Sequence, residues 1–186
     1  VDETITVNFD GGSRGNPGSA GIGVVLAAQD GTPLVTVGRY IGRATNNFAE
    51  YMALIVGLRE AGKLGAKKIL VRGDSELIIK QMRGEYRVKN PGLKDMHQQA
   101  RAIADKFQEV RFEHNLRAHN SLADRLANLA MDRKGDVTEI TDESNGSPGE
   151  VGEIFSCPKC GCRIAVQELG DSKDGHFICR CGTAME

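Results

Sequence analysis

Four acidic residues stand where a purely structural role is hard to find for them. Asp10 ends the alternating run Thr4-Ile5-Thr6-Val7-Asn8-Phe9 and opens into glycines, and Asp74 ends a second short strand pattern in the same way. Glu50 lies in the first turns of a helical segment, ahead of Tyr51, Met52 and Ala53, and Asp124 falls early in the last helix. Taken singly, Asp10 reads as a turn residue, Asp74 and Asp124 as helix caps, and Glu50 as a complement to a helix dipole. Taken together they read differently, because carboxylates converging on one side of a sheet repel one another unless cations sit between them. A second kind of chemistry is confined to the C-terminus. All five cysteines, Cys157, Cys160, Cys162, Cys179 and Cys181, fall in the last 30 residues, and clustered C-x-x-C and C-x-C pairs favour a metal site over disulfides in an intracellular chain.

The elements that must hold the acids follow from periodicity. The Gly11 to Gly18 stretch is expected to turn the first strand into two more, Ala20 to Ala27 and Leu34 to Ile41, with Asp30-Gly31 as the hairpin signal between them. A helix from about Asn46 to Gly62, capped by Thr45 or Asn46, leads to the strand Lys68 to Arg72, and Ser75 is placed to cap a short helix through Met82. Leu93, Met96, Ala100, Ile103 and Phe107 mark one face of a further helix, on whose polar side His97 is expected in solvent. Val110, Phe112, His114 and Leu116 alternate as a last strand, and Leu122, Leu126 and Leu129 mark the last helix. The order is βββαβααβα, an α/β fold with a mixed five-stranded sheet. Helical crossovers make the later two strands parallel to the first, and the carboxyl ends of such strands are where ligands collect.

Four segments then carry a resemblance. Phe9-Asp10-Gly11-Gly12-Ser13-Arg14-Gly15-Asn16-Pro17-Gly18, Thr45-Asn46-Asn47-Phe48-Ala49-Glu50-Tyr51, Gly73-Asp74-Ser75 and Asn120-Ser121-Leu122-Ala123-Asp124-Arg125-Leu126-Ala127 resemble, in order, the four acidic motifs of ribonuclease H, type 1 branch. The resemblance covers about residues 3 to 132. It implies that Asp10, Glu50, Asp74 and Asp124 bind metal and that the reaction is hydrolysis of the RNA strand of an RNA/DNA hybrid, leaving 5′-phosphate and 3′-hydroxyl ends. Mg²⁺ suits such a site because hard cations that keep several waters prefer carboxylate oxygens, with Mn²⁺ as a substitute. Two ions held about 4 Å apart can serve both the attacking water and the leaving oxygen of one in-line displacement, and Asp10, on the central strand, is expected to bridge them.

The same resemblance assigns substrate contacts. Only the 2′-hydroxyl separates an RNA strand from DNA at a given site, and a wide, shallow minor groove leaves it accessible. Gly11, Gly12 and Gly15 let backbone come close, and Ser13, Asn16, Asn46 and Asn47 are expected on the RNA sugars. Arg43 and Thr45 are expected on a phosphate of the DNA strand. Tyr86 stands where the family often has Trp, either as a platform for the DNA strand or as a packed edge aromatic. Only about ten residues, Arg83 to Gly92, separate the two middle helices, so the extra basic helix of some family members has no room. The loop before the last helix is also short, with His114, read as structural, and His119 as local histidines.

The chain divides by charge. Residues 1–134, the expected catalytic domain, hold 20 Lys+Arg against 15 Asp+Glu. Residues 135–156 hold six acids and no base and read as a Gly/Ser-rich flexible linker. Residues 157–186 balance at four and four and resemble a zinc ribbon, with Zn²⁺ held by Cys157, Cys160, Cys179 and Cys181 and with Cys162 and His176 as spares. So few apolar residues would need a metal to fold. No run nears the roughly 20 apolar residues of a spanning helix, and Val1-Asp2-Glu3-Thr4 lacks the regions of a secretory signal, so no membrane partner and a cytoplasmic, intracellular location are expected. The expected partner is an RNA/DNA hybrid met by a monomer, in primer or R-loop removal, with a protein partner for the C-terminal module. Two other functions fit less well: a non-catalytic nucleic-acid-binding module on the same fold, or a zinc-ribbon docking protein. A binder gains nothing from four acids facing phosphates.

Overall fold

A computed structural model describes residues 4–116 and 120–137, together with two short strands in the C-terminal segment. Residue contacts group Val1–Glu139 as one compact unit and Ile140–Glu186 as another. The first unit runs β1 (Thr4–Gly15), β2 (Gly18–Ala27), β3 (Pro33–Ala44), α1 (Asn46–Lys63), β4 (Lys68–Gly73), α2 (Glu76–Met82), α3 (Pro91–Ala104), β5 (Glu109–His114) and α4 (Ser121–Arg133). The sheet order is β3-β2-β1-β4-β5, with β1 antiparallel to β2 and parallel to β4, and β4 parallel to β5. In the second unit, β6 (Ile154–Ser156) pairs antiparallel with β7 (Arg163–Ala165), from Ile154 opposite Ala165 to Ser156 opposite Arg163. No helix among the described residues is long and apolar enough to cross a membrane.

The first strand is longer than its alternating pattern suggests. Ile5, Val7 and Phe9 are buried while Thr4, Thr6 and Asn8 between them are half-buried, but pairing with β2 continues through Gly11 and Gly12 to Gly15 opposite Gly18. The turn shrinks to Asn16-Pro17, joined by a cis peptide bond, and only Gly15, at φ +98°, needs a glycine's conformation there. Glycines that read as a loop are therefore strand residues, held extended by a partner strand, and Gly11 is kept bare because the backbone of α1 packs on it.

That packing shapes both faces of the sheet. On one face, a Cβ on Gly23 would lie 1.8 Å from the Ala123 carbonyl oxygen, and one on Gly21 would lie 2.5 Å from that of Ala127. The backbone of α4 thus rests in a glycine trough, and its buried side is largely Ala123, Ala127 and Ala130 with Leu126 and Met131. Leu122 and Leu129, expected on the core side, are only half-buried. After α4 the chain folds onto β3, where Gly38 and Val137 exchange two backbone hydrogen bonds of 2.5 and 2.6 Å, and Val137 is buried.

On the other face α1 carries most of the core, including Tyr51, Leu54, Ile55 and Leu58. The Thr45 side chain caps this helix by accepting from the Phe48 N–H at 3.3 Å. Ser75 heads α2 without a side-chain capping bond. The helix α3 ends at Ala104, so Phe107 lies beyond it, and Leu116 lies beyond β5, largely exposed. His97 departs from its expected place in solvent. It is half-buried, edge-on to the Tyr51 ring with centroids 6.3 Å apart, and its Nε2 lies 3.2 Å from the Gln81 carbonyl oxygen. The cause is α1, which α3 packs against and which brings the buried Tyr51 hydroxyl to donate to Gln81 Oε1 at 2.7 Å.

Candidate active site

Register alone brings two of the acids together. The last rung joining β1 to β4 is Phe9 opposite Gly73, and the next rung places Gly73 opposite His114. Asp10 and Asp74 are the first residues past that rung on adjacent parallel strands, so both lie where the β1–β4 pairing stops, Asp74 leaving the sheet and Asp10 running on beside β2. A Cβ on Gly73 would lie 2.5 Å from the Phe9 ring, so the bare residue leaves room for that ring at the last rung of the pairing.

Glu50 arrives through a missing side chain. A Cβ on Gly11 would lie 2.2 Å from both the Ala49 carbonyl carbon and the Glu50 nitrogen. The first turns of α1 can approach β1 only because residue 11 is bare. Asp10 and Glu50 are 6% and 5% exposed, and Asp74 is half-buried. One ligand oxygen from each of Asp10, Glu50 and Asp74 falls within 4.8 Å of the other two. Three carboxylates, two of them buried, at this separation suit a hard, oxygen-seeking dication and are an unfavourable arrangement without one.

Asp124 comes from the opposite side of the sheet. Buried Asn120, at the head of α4, donates from Nδ2 to the Phe9 carbonyl oxygen at 2.8 Å, tying the helix to the residue before Asp10. Asn128, one turn after Asp124, donates to the Asp124 Oδ2 at 3.1 Å and to its carbonyl at 3.0 Å. Asp124 lines the same cavity as the other three acids without joining their close group.

The cavity, about 430 Å³, is lined by the four acids with Gly11, Gly12, Ser13, Arg14, Asn46, Ser75, Asn128 and Met131. Of the residues expected on substrate, Gly11, Gly12, Ser13 and Asn46 are in this lining. Gly15, Asn16, Arg43, Thr45, Asn47 and Tyr86 lie outside the lining. Asn16 is nevertheless tied to it, because its Oδ1 accepts from the Asn46 N–H at 3.2 Å. Ser13 Oγ donates to the Ala44 carbonyl at 2.8 Å and accepts from the Gly18 N–H at 3.1 Å, joining the end of β1 to the end of β3. Tyr86 is 48% exposed, with the Lys80 ammonium 4.9 Å from its ring centre, so it is not packed into an edge. Lys80 also pairs with Glu76, which holds the Glu76 carboxyl below its ordinary range.

Sequence reasoning missed Arg14, Ser75, Asn120 and Asn128. The spacing of Asn120, Asp124, Asn128 and Asp132 by four residues marks one helical face and was the available signal. His114 is exposed, its Nε2 3.2 Å from the Asp74 carbonyl oxygen, so it touches the backbone of a site residue and not the core. His119, His176 and the five cysteines lie outside the described residues.

The model of the family described as "Reverse transcriptase-like" matches residues 8–130. The bifunctional protein Rv2228c of Mycobacterium tuberculosis is 45% identical over 157 residues, which are 80% of this chain and 43% of that protein. The ribonuclease HI of Halobacterium salinarum is 46% identical over 124 residues, 67% of this chain and 62% of that one. The present chain thus spans less than two thirds of the length of these relatives. Among solved structures, LC11-RNase H1 in complex with an RNA/DNA hybrid superposes with a TM-score of 0.67 at 43% identity, covering 70% of this chain and 98% of that one. The sheet order, the acids at the end of its parallel strands and these likenesses agree, and the chain belongs to the ribonuclease H family, in its type 1 branch.

Proposed function

We propose that this chain is a metal-dependent endoribonuclease that hydrolyses the RNA strand of RNA/DNA hybrids, leaving 5′-phosphate and 3′-hydroxyl ends. The observation that carries the proposal is the close group of Asp10, Glu50 and Asp74 oxygens, opening with Asp124 into one polar cavity. The similar LC11 enzyme, bound to an RNA/DNA hybrid, supports the choice of substrate. Asp10, Glu50, Asp74 and Asp124 would hold Mg²⁺, with Mn²⁺ as a substitute, and ions bound there supply Lewis acidity to the attacking water and the leaving 3′ oxygen. Asp10, on the central strand β1, is proposed as the carboxylate that would serve both ions. Packing of Glu50 against Gly11, and the bond from Asn128 to Asp124, hold these carboxylates before substrate arrives, which is the preorganisation that catalysis rewards.

For the substrate, the backbone of Gly11, Gly12 and Gly15 and the side chains of Ser13, Asn16, Asn46 and Asn47 are proposed on the RNA sugars. Arg43 and Thr45 are proposed on a DNA-strand phosphate; Thr45 caps α1 by accepting, which leaves its hydroxyl proton to donate. Tyr86, exposed beside Lys80, is proposed as a platform for the DNA strand. In the C-terminal module, Cys157, Cys160, Cys179 and Cys181 are proposed to bind Zn²⁺, and the pairing of Ser156 with Arg163 supports this by bracketing the segment that holds the first two.

The test is a cleavage assay on hybrid, double-stranded RNA and double-stranded DNA with Mg²⁺, then with EDTA, repeated for Asp10→Asn. Cleavage of the hybrid alone, abolished by EDTA and lowered by about three orders of magnitude or more in the variant with hybrid binding retained, is expected. Near-normal turnover by Asp10→Asn would refute the assignment.

A further inference from the structure

Arg14 is the one cation among the described residues lining the cavity of the four carboxylates. It stands four residues beyond Asp10 on β1, hence on the same face and about 13 Å along the strand, too far to neutralise Asp10 itself. The face is confirmed by its neighbours: Gly12, between them, faces Met131 of α4, and Arg14 Nη1 reaches the Asp132 Oδ1 of the same helix at 2.7 Å. The two side chains of that ion pair are 50% and 51% exposed, so the pair adds little to stability. What it does is hold a long side chain in place. A guanidinium has five N–H donors in a planar fork that matches phosphate, and the contact to Asp132 through Nη1 leaves others to bind.

Four carboxylates repel an approaching polyanion, and Arg14, lining the same cavity, offsets that repulsion beside them. We infer that Arg14 binds a phosphate of the strand being cut, a few nucleotides from the scissile bond, with Asp132 positioning its guanidinium. This rests on the hybrid-nuclease reading above and adds to it a specific contact of the cleaved strand.

The test uses the full chain carrying Asp10→Asn in Mg²⁺, with binding of a fluorescent RNA/DNA hybrid followed by anisotropy across salt. Arg14→Gln should weaken binding about five-fold near 0.1 M salt and reduce the slope of log K against log salt by about 0.9, one phosphate contact. Asp132→Asn, which keeps the cation, should leave that slope unchanged. With Asp10 intact, Arg14→Gln should raise KM by a similar factor and leave kcat within about two-fold, because a uniform binding contact acts on KM. A purely structural ion pair would instead lower Tm equally in Arg14→Gln and Asp132→Asn with affinity and salt slope unmoved, and that result would overturn the inference. If the unsubstituted chain cuts hybrid and the slope does not move, the Arg14 contact alone fails; if it neither binds nor cuts hybrid, the underlying function fails with it.

Discussion

Replacing Gly11 with alanine adds one methyl group, changes no charge and removes no ligand, yet it should disable the site. The new Cβ would start 2.2 Å from the Glu50 nitrogen and the Ala49 carbonyl carbon, and 2.5 Å from the Ala49 carbonyl oxygen. An ordinary contact begins at 3.4 Å, so the backbone at the start of α1 must retreat by about 1.2 Å. That backbone cannot swing aside as a flexible side chain would, because the Thr45 cap and the buried Tyr51, Leu54 and Leu58 anchor the helix. Glu50 moves with it, in a group whose oxygens lie within 4.8 Å of one another. Overpacking of this kind costs about 1–3 kcal/mol of stability, and a misplacement of about 1 Å in a catalytic constellation costs about 100-fold in rate. The expected outcome is a folded protein with Tm lowered by several degrees, kcat on hybrid down about 100-fold, and weaker Mn²⁺ binding by titration calorimetry without substrate. Turnover within about three-fold of the unsubstituted chain, with unchanged Mn²⁺ binding, would show that close packing at Gly11 is not what places Glu50.

Asn128→Leu removes both hydrogen bonds to Asp124 at similar size; it should raise the Mg²⁺ concentration needed for half-maximal cleavage several-fold while changing the free energy of unfolding by only about 1 kcal/mol. An unaltered Mg²⁺ curve would deny Asn128 a positioning role. Shortening the chain to residues 1–134 deletes buried Val137, its two bonds to Gly38 and the Arg39–Asp136 pair, whereas ending it at Glu139 keeps them. Denaturant titration should find the shorter form less stable by about 2 kcal/mol, mainly from lost burial of one valine; equal midpoints would contradict this. Burial pushes the Tyr51 hydroxyl above its ordinary range. A raised folded-state pKa means that its stabilising effect is complete below about pH 10 and declines above it by about 1.4 kcal/mol per pH unit, as the unfolded chain loses the proton first. Tyr51→Phe should abolish that component of the alkaline slope, and stability curves that remain parallel up to pH 11 would count against it.

Much of this was legible in the order of residues, and the parts that were not share a cause. The strand exit at Asp74 was visible, because a short apolar run closing on glycine is a local pattern, whereas the strand end expected at Asp10 is overturned, since β1 runs on to Gly15. The glycine run itself misled, since the chain's freedom to turn at Gly11 and Gly12 looks the same whether it serves a loop or a close approach. His97 sits on the polar stripe of its own helix, and nothing near it in sequence shows that Tyr51 and Gln81 come from other helices to cover that stripe.

The sequence by itself determined the chemistry available: four carboxylates that suit a hard dication, amides and glycines beside them, and thiols kept to the C-terminus. Side-chain type settles what an atom can bind, and local periodicity settles which strand or helix carries it. Only the tertiary structure decided which atoms meet. Asn120 reaches a carbonyl 111 positions away, Gly11 admits the backbone of Glu50, and Arg14 is held by Asp132 from the last helix. Such contacts depend on how closely α1 and α4 settle onto opposite faces of one sheet. That closeness is set by side chains missing from glycine, whose function is invisible until the helices are in place.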